Sequence, residues 1–305
     1  MERHRSLDAF AVSVMVVLCA LWGSTQGILK MTAAEVHPVL QVGLRCAIAS
    51  VLIVVWTAAR RERLALRDGT LAPGLAAGAV FTAEFLIIGF AIDFTTASHM
   101  SVFLYTAPIF TALGLHLRVP EERFGAAQWA GVALAFGGVF VIFAAEFASG
   151  RPYDPLQLLG DAMAILGGAM WAATTVIIKS TRLAEASPAK VTLYQLAVAG
   201  VVLIALTPWL PSNNSFQLSG FAWASVLWQA SIIAFASYMV WFWLMRTYSA
   251  SRLSIASFLT PIFGVAFGVL VLDEPLTANF VAGAVLILTG IAVVNGAFSR
   301  RLRRA

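Results

Sequence analysis

Long apolar runs of about 20 residues, separated by short polar segments, dominate this chain of 305 residues. A nearly uncharged run of this length predicts a helix that crosses a lipid bilayer, because hydrocarbon offers the backbone no hydrogen-bond partner outside the helix. The loops between the runs are too short to hold a soluble domain. We predict ten spans: residues 9–30, 38–59, 70–92, 97–117, 125–146, 156–178, 188–207, 220–245, 251–271 and 277–298.

The composition supports an integral membrane protein. Apolar residues make up 60% of the chain and charged residues 11%, against roughly 45–50% and about 25% in soluble domains. A soluble protein this apolar could not cover its surface with polar groups. The first run follows basic residues as a secretory signal would, but no small-residue cleavage site follows it, so we predict a retained helix.

Lys and Arg residues are distributed unevenly between the two ends of the predicted spans. With ten spans, 17 of the 20 fall at one end and only Lys30 and Arg151 fall at the other, while Arg45 lies within a span. Cytoplasmic loops carry such an excess. We therefore predict cytoplasmic N- and C-termini in a bacterial inner (plasma) membrane. The net charge of +5 follows from this topology and indicates no nucleic-acid partner.

Several motifs occur twice, 149 to 153 residues apart. The pairs are Trp22 and Trp171, Lys30 and Lys179, Ser98 and Ser251, Glu121 and Glu274, Gly131 and Gly283, and Gly138 and Gly290. Such self-similarity predicts a duplicated unit. The two copies would be residues 1–150, with TM1–5, and residues 151–305, with TM6–10. Five is an odd number, so the second copy must cross in the opposite sense, and inverted repeats are typical of secondary transporters.

Motifs in both halves resemble those of a known family. They are Leu259-Thr260-Pro261-Ile262-Phe263, Asp273-Glu274-Pro275, Gly283 to Gly290, Ala107-Pro108-Ile109-Phe110, Trp22-Gly23-Ser24, and Arg45 in Leu44-Arg45-Cys46-Ala47. With these motifs the chain resembles the EamA-type members of the drug/metabolite transporter superfamily over essentially its whole length. Among them it looks most like the bacterial aromatic amino-acid exporters. The resemblance implies an all-α integral membrane carrier and export as the direction. The first-repeat sequence Pro120-Glu121-Glu122 departs from Asp273-Glu274-Pro275, so that turn need not have the same conformation.

Pro108 and Pro261 lie near the middle of the fourth and ninth predicted spans, at equivalent positions of the two repeats. Proline removes a backbone hydrogen bond and weakens the helix around it. Each is therefore either a static kink or a flexible point at which half of the helix swings. Their occurrence in both repeats makes them candidate gating hinges.

Hydroxyl and aromatic side chains share one face with these prolines, at helical spacings of i, i+4 and i+7. The two stripes are Ser101, Tyr105 and Pro108, and Ser254, Phe258 and Pro261. Such a face suits a cavity for an amphipathic solute, and helix packing is the alternative interpretation. The remaining candidate substrate-binding residues are Trp22, Gln26, Trp171, Thr175, Tyr238 and Trp241. For these the alternatives are close packing and contact with lipid.

Glu84 is the one acidic residue deep inside a predicted span. A charge at that depth is costly, and intramembrane ionisable residues are functional by default. Glu84 could bind a substrate ammonium, carry a coupling proton, or form a structural pair with Arg45. Arg45 lies near the start of its span, so we assign it a structural role, with its side chain reaching outward. We expect His99 to lie at the membrane interface.

The leading hypothesis is a secondary carrier that exports small amphipathic metabolites, above all aromatic amino acids, by alternating access. An exchanger of phosphorylated sugars or nucleotide sugars is an alternative, although such ligands need cationic clamps and Arg45 is the only cation inside a span. A membrane-embedded enzyme would need paired acids or a metal cluster, and a channel would not need paired prolines. We expect no cofactor and no metal. The predicted partners are a small-molecule substrate and the bilayer, and the oligomeric state stays open, a monomer included.

Overall fold

The computed structural model describes residues 8–62, 64–65, 68–118, 125–148, 154–210, 218–248, 253 and 256–302. Its architecture is all-α, as predicted. The α-helices are α1 (Ala9–Thr32), α2 (Pro38–Ala59), α3 (Leu71–Ala91), α4 (Ala97–Leu104), α5 (Ala107–Arg118), α6 (Ala126–Ala148), α7 (Pro155–Ser180), α8 (Pro188–Leu206), α9 (Gly220–Trp228), α10 (Ser237–Thr247), α11 (Leu259–Val271) and α12 (Ala278–Leu302). A π-helical segment, Gln229–Ala236, joins α9 to α10.

Local sequence chemistry sets where several helices begin. The side chains of Asp8, Thr96 and Asp154 accept hydrogen bonds from the first turns of α1, α4 and α7. These side chains satisfy backbone N–H groups that have no partner within the helix. Pro38 begins α2 and Pro188 begins α8, where a missing N–H does no harm.

Seven helical stretches of the described residues are long and apolar enough to cross a membrane. Three further apolar helices are shorter, at Ala126–Ile142, Leu259–Val271 and Ala278–Val294. Large apolar side chains point outward, and Val51, Phe140 and Val201 are 62%, 71% and 71% exposed. A surface of this kind suits lipid rather than water. The number of ten spans stays a prediction.

The most extensive helix contacts join α6 to α12, α3 to α7 and α2 to α8, followed equally by α1 to α11 and α3 to α8. The α6–α12 contact is a close backbone approach. A Cβ atom added to Gly131 would lie 2.8 Å from the carbonyl oxygen of Gly290, and one added to Gly138 would lie 2.5 Å from that of Gly283. Any larger side chain at these glycines would push the helices apart.

Candidate functional site

A cavity of about 390 Å³ lies inside the helix bundle. Its lining comes from α1, α2, α3, α4, α5, α7, α8, the π-helical segment, α10 and the start of α11. Most of the residues predicted to bind substrate line it together: Trp22, Gln26, Glu84, Ser101, Tyr105, Trp171, Thr175, Tyr238 and Trp241, with Pro108 beside them. The structure thus gathers residues from both halves of the sequence around one space.

The second predicted stripe does not line the cavity in the expected way. Phe258 packs instead against the main hydrophobic core, and Pro261 is buried in the first turn of α11. Ser257 and Thr260 reach the cavity in their place. Ser254 lies outside the described residues. The physical reason is that α11 begins only at Leu259, so the continuous helical spacing on which the stripe depends is missing before that point.

Aromatic rings form one wall of the cavity. Trp22 meets the Trp241 ring edge-on, with centroids 5.5 Å apart, and its indole N–H donates to the Ser237 hydroxyl at 2.8 Å. Trp171 meets Tyr105 edge-on at the same centroid distance of 5.5 Å. Edge-to-face pairs fix the rings in defined orientations. The wall is therefore a preformed apolar surface on which a flat side chain can pack.

Polar atoms without hydrogen-bond partners among the described residues converge on the same cavity. They include Gln26 Oε1, Arg45 Nε, Glu84 Oε2, Ser101 Oγ and Thr174 Oγ1. Buried polar atoms are nearly always paired, and an unpaired one needs an explanation. A solute with its own donors and acceptors would satisfy these atoms. A mostly apolar pocket with a few convergent polar groups is typical of a small-molecule site.

Arg45 lines this cavity, whereas its position in the sequence predicts a side chain that reaches outward. It is only 5% exposed. Its Nη1 donates to the side-chain oxygen of Gln229 at 3.3 Å, and its guanidinium lies 4.7 Å from the centre of the Phe85 ring. The reason is that α2 packs along α8 and the π-helical segment, which turns this face of α2 inward. Sequence periodicity alone does not show that packing.

The helix is interrupted beside Pro108, in contrast to the single helix predicted over residues 97–117. α4 ends at Leu104 and α5 begins at Ala107, which places Pro108 in the first turn of a new helix. The Thr106 hydroxyl donates to the carbonyl oxygen of Phe103 at 2.6 Å and satisfies one backbone acceptor at the break. A proline ring at position 108 clashes with a helical carbonyl at position 104, so the break is local to the proline.

A charged network joins several helices at one end of the bundle. The Glu274 carboxylate accepts hydrogen bonds from the backbone N–H groups of Ala97 and Ser98, at 2.6 and 2.9 Å, and from the Ser98 hydroxyl at 2.7 Å. Lys30 lies 3.6 Å from the same carboxylate and also donates to the carbonyl oxygen of Thr95. This network ties α1, the start of α4 and the segment after α11 together.

His99 extends this network from the first turn of α4 and is buried within the protein. Its Nδ1 lies 2.9 Å from the carboxylate of Asp161, and its ring stacks on Phe280 with centroids 4.4 Å apart. Asp161 also accepts a hydrogen bond from the Thr95 hydroxyl. The contacts therefore extend the network to α7 and α12.

An ion pair lies at the opposite end of the bundle, between Asp68, which is outside the spans, and Lys190, which is near the start of one. Lys190, at the start of α8, donates to the Asp68 carboxylate at 2.5 Å, and Thr70 donates to the same carboxylate at 2.6 Å. These two donors hold the pKa of Asp68 well below its ordinary value. The pair links the α2–α3 connection to α8.

Comparison with known proteins agrees with this geometry. The sequence profile described as the EamA-like transporter family matches residues 9–144 and 158–296. The uncharacterized transporter YoaV of Bacillus subtilis is 24% identical over 288 residues, which cover 94% of this chain and 97% of that protein. A probable amino-acid metabolite efflux pump of Salmonella typhimurium is 26% identical over 308 residues, which cover 97% of each chain. One solved crystal structure superposes with a TM-score of 0.65 at 17% identity, over 94% of this chain and 98% of that one, so it shows a shared fold alone. This chain is an integral membrane transporter, and it belongs to the EamA-like transporter family.

Proposed function

We propose that this transporter is a secondary carrier that exports aromatic amino acids by alternating access. The observation that carries the proposal is the cavity, in which an aromatic wall lies beside buried polar atoms that have no partner among the described residues. Rings such as Trp22 and Trp171 would pack against a flat side chain, and the polar atoms would orient the solute. Glu84, which is 5% exposed, would contact the ammonium group.

The proposal includes two inverted five-helix units with both termini in the cytoplasm of a bacterium. The repeated glycines support it, because Gly131 contacts Gly290 and Gly138 contacts Gly283. Gly290 is the repeat counterpart of Gly138, and Gly283 is that of Gly131. Each glycine of the first unit therefore contacts the counterpart of the other one, as expected for two units related by a two-fold axis. The two separate stretches that match the family profile also support it.

Export as the direction draws support from relatives. Proteins of Salmonella typhimurium and of Escherichia coli, each 26% identical to this chain, are named probable amino-acid metabolite efflux pumps. Phosphorylated sugars fit the cavity less well, because a phosphate needs several cationic donors. Among the described residues that line the cavity, Arg45 is the only one with a cationic side chain.

The test is transport by purified protein in proteoliposomes. Exchange of labelled L-phenylalanine, L-tyrosine and L-tryptophan would be compared with exchange of labelled L-alanine, with and without a pH gradient. We expect exchange of the aromatic amino acids in the wild type and a large loss in Trp22→Leu. Trp223→Leu is the matched control, because Trp223 lies exposed on α9 and does not line the cavity. Failure of the wild type to exchange any amino acid would overturn the proposal.

A further inference from the structure

Two ionisable groups of opposite type line the cavity without forming an ion pair with each other. Arg45 and Glu84 are each 5% exposed, and both line the cavity. The ion pairs found among the described residues are Lys30–Glu274, His99–Asp161 and Lys190–Asp68. The Arg45 and Glu84 groups are therefore separated by more than the 4 Å of a direct ion pair.

Each of the two groups retains an atom without a partner. Glu84 Oε2 and Arg45 Nε are both buried, and neither has a hydrogen-bond partner among the described residues. A buried charge is expensive unless a counter-charge or hydrogen bonds compensate it. A solute that carried one positive and one negative group on neighbouring atoms would compensate both charges at once. The zwitterionic head of an α-amino acid has this chemistry.

The Arg45 guanidinium is held in a fixed orientation. Gln229, the first residue of the π-helical segment, is 1% exposed and accepts a hydrogen bond from Arg45 Nη1 at 3.3 Å. The Phe85 ring lies against the guanidinium, whose central carbon is 4.7 Å from the centre of the ring. Nη1 is thus engaged, while Nε has no hydrogen-bond partner among the described residues. A carboxylate matches the planar donor geometry of a guanidinium.

We propose that Arg45 binds the α-carboxylate of the transported amino acid while Glu84 binds its ammonium group, so that the site selects zwitterions. This inference rests on the proposed function and adds to it a specificity-determining residue and a chemical requirement on the substrate. Amines without the carboxylate, and acids without the amine, would each leave one buried charge uncompensated. Such compounds bind weakly because unpaired polar groups in a site reject ligands that lack their partner.

The first test uses the wild-type protein and requires no variant. Proteoliposomes that exchange labelled L-phenylalanine would be challenged with unlabelled L-phenylalanine, 2-phenylethylamine and 3-phenylpropanoate. One hydrogen-bonded contact to a charged group corresponds to a loss of about ten- to a hundredfold in apparent affinity. We expect both analogues to inhibit at least tenfold less well than phenylalanine. Equal inhibition by either analogue would overturn the inference for the group that the analogue lacks.

The second test assigns the carboxylate to Arg45. In Arg45→Met, we expect the KM for phenylalanine to rise at least tenfold while inhibition by 2-phenylethylamine changes little, so that the preference for the zwitterion disappears. Arg45→Lys keeps the charge and should recover part of the preference. Arg60→Met is the matched control, because Arg60 stacks on Trp56 beyond the end of α2 and does not line the cavity.

Glu84→Gln provides the complementary variant, with an expected loss of discrimination against 3-phenylpropanoate. If phenylalanine exchange survives with only its pH dependence lost, Glu84 carries a coupling proton and the ammonium assignment is overturned.

If Arg45→Met does not fold, Gln229→Ala frees the guanidinium and should lower the same preference for the zwitterion. A wild type that exchanges no amino acid refutes the proposed function. A wild type that exchanges phenylalanine, with an unchanged preference in Arg45→Met, refutes this inference alone.

Discussion

Glu274 caps the helix that begins beside Ser98, although 176 residues of sequence separate the two. Its carboxylate accepts both the backbone N–H and the hydroxyl of Ser98, at the positive end of α4. Negative charge is stabilising at a helix N-terminus. The helix contacts at this end of the bundle therefore depend on one carboxylate contributed from far along the chain.

We expect Glu274→Gln to open this end. The change removes the charge that attracts Lys30 and the α4 N-terminus, and hydrogen bonds to a charged group contribute about 1.5–3 kcal/mol each. The probe is Ser101→Cys in a background without Cys19 and Cys46, labelled with an impermeant maleimide on intact cells. Labelling at position 101 should rise several-fold in Glu274→Gln.

The matched control is Glu35→Gln. Glu35 accepts a hydrogen bond from Ser219 N at 3.3 Å, in an exposed position. Unchanged labelling in Glu274→Gln would show that the cap does not keep this end closed.

The two prolines are expected to act on opposite gates. With alanine at position 108, the residue could donate to the carbonyl oxygen of Leu104 and make α4 and α5 one continuous helix. Pro261→Ala would extend α11 in the same way, because Pro261 lies in its first turn. We expect lower turnover in both variants and opposite changes in maleimide labelling at position 101 of the Ser101→Cys background.

Pro208→Ala, in the exposed 3₁₀ turn after α8, is the control for the loss of a proline as such. Equal labelling and near-normal exchange in Pro108→Ala and Pro261→Ala would identify both prolines as static kinks.

The Asp68–Lys190 pair should make stability depend on pH in the acid range. Because the folded-state pKa of Asp68 is depressed, the unfolded chain binds a proton more readily. The stabilisation is thus complete above the ordinary aspartate pKa of about 3.9 and is lost as the pH falls towards the folded-state value. Thermal unfolding midpoints of the wild type and Asp68→Asn should differ at pH 7, and the difference should shrink as the pH falls below about 4. In a Lys190→Met background, Asp68→Asn should have a much smaller effect, and a gap independent of pH would contradict the assignment.

Topology can be tested with two reporters. The excess of Lys and Arg at one end predicts that a fluorescent protein fused after Ala305 folds in the cytoplasm. A periplasmic enzyme reporter inserted at Asn214 should be active, because that loop lies on the other side in the ten-span arrangement. The same compartment for both positions would contradict the inverted-repeat arrangement.

The sequence predicted the helices well because hydropathy is a local property. The runs at 38–59 and 70–92 coincide with α2 and α3 to within a residue or so. Trp22, Glu84 and Trp171 were predicted as site residues from their depth in the spans, and the structure places them around one cavity. Depth along a helix can be counted from the chain alone.

The sequence was less informative about which face of a helix turns inward. Arg45 and Gln229 meet only because α2 packs beside a π-helical segment, and nothing local in the sequence predicts that widened helix. Phe258 was predicted to share a face with Pro261, but the α-helix starts after it. Which face of a helix turns inward depends on tertiary packing, and this packing overrides the spacing of individual side chains.

The π-helical segment also constrains how this protein can change during evolution. A π turn holds about one residue more than an α turn, as if one residue had been inserted. Gln229 lies at its start, while Tyr238 and Trp241 follow it on α10. Deletion of a single residue within Gln229–Ala236 would remove this extra residue and restore regular α-helix, with α10 left near its present orientation. The same deletion in regular α-helix would instead rotate all that follows by about 100°, since an α-helix has 3.6 residues per turn. The π-helical segment can therefore lose one residue while Tyr238 and Trp241 stay at the cavity, a change in chain length that regular helix would not tolerate.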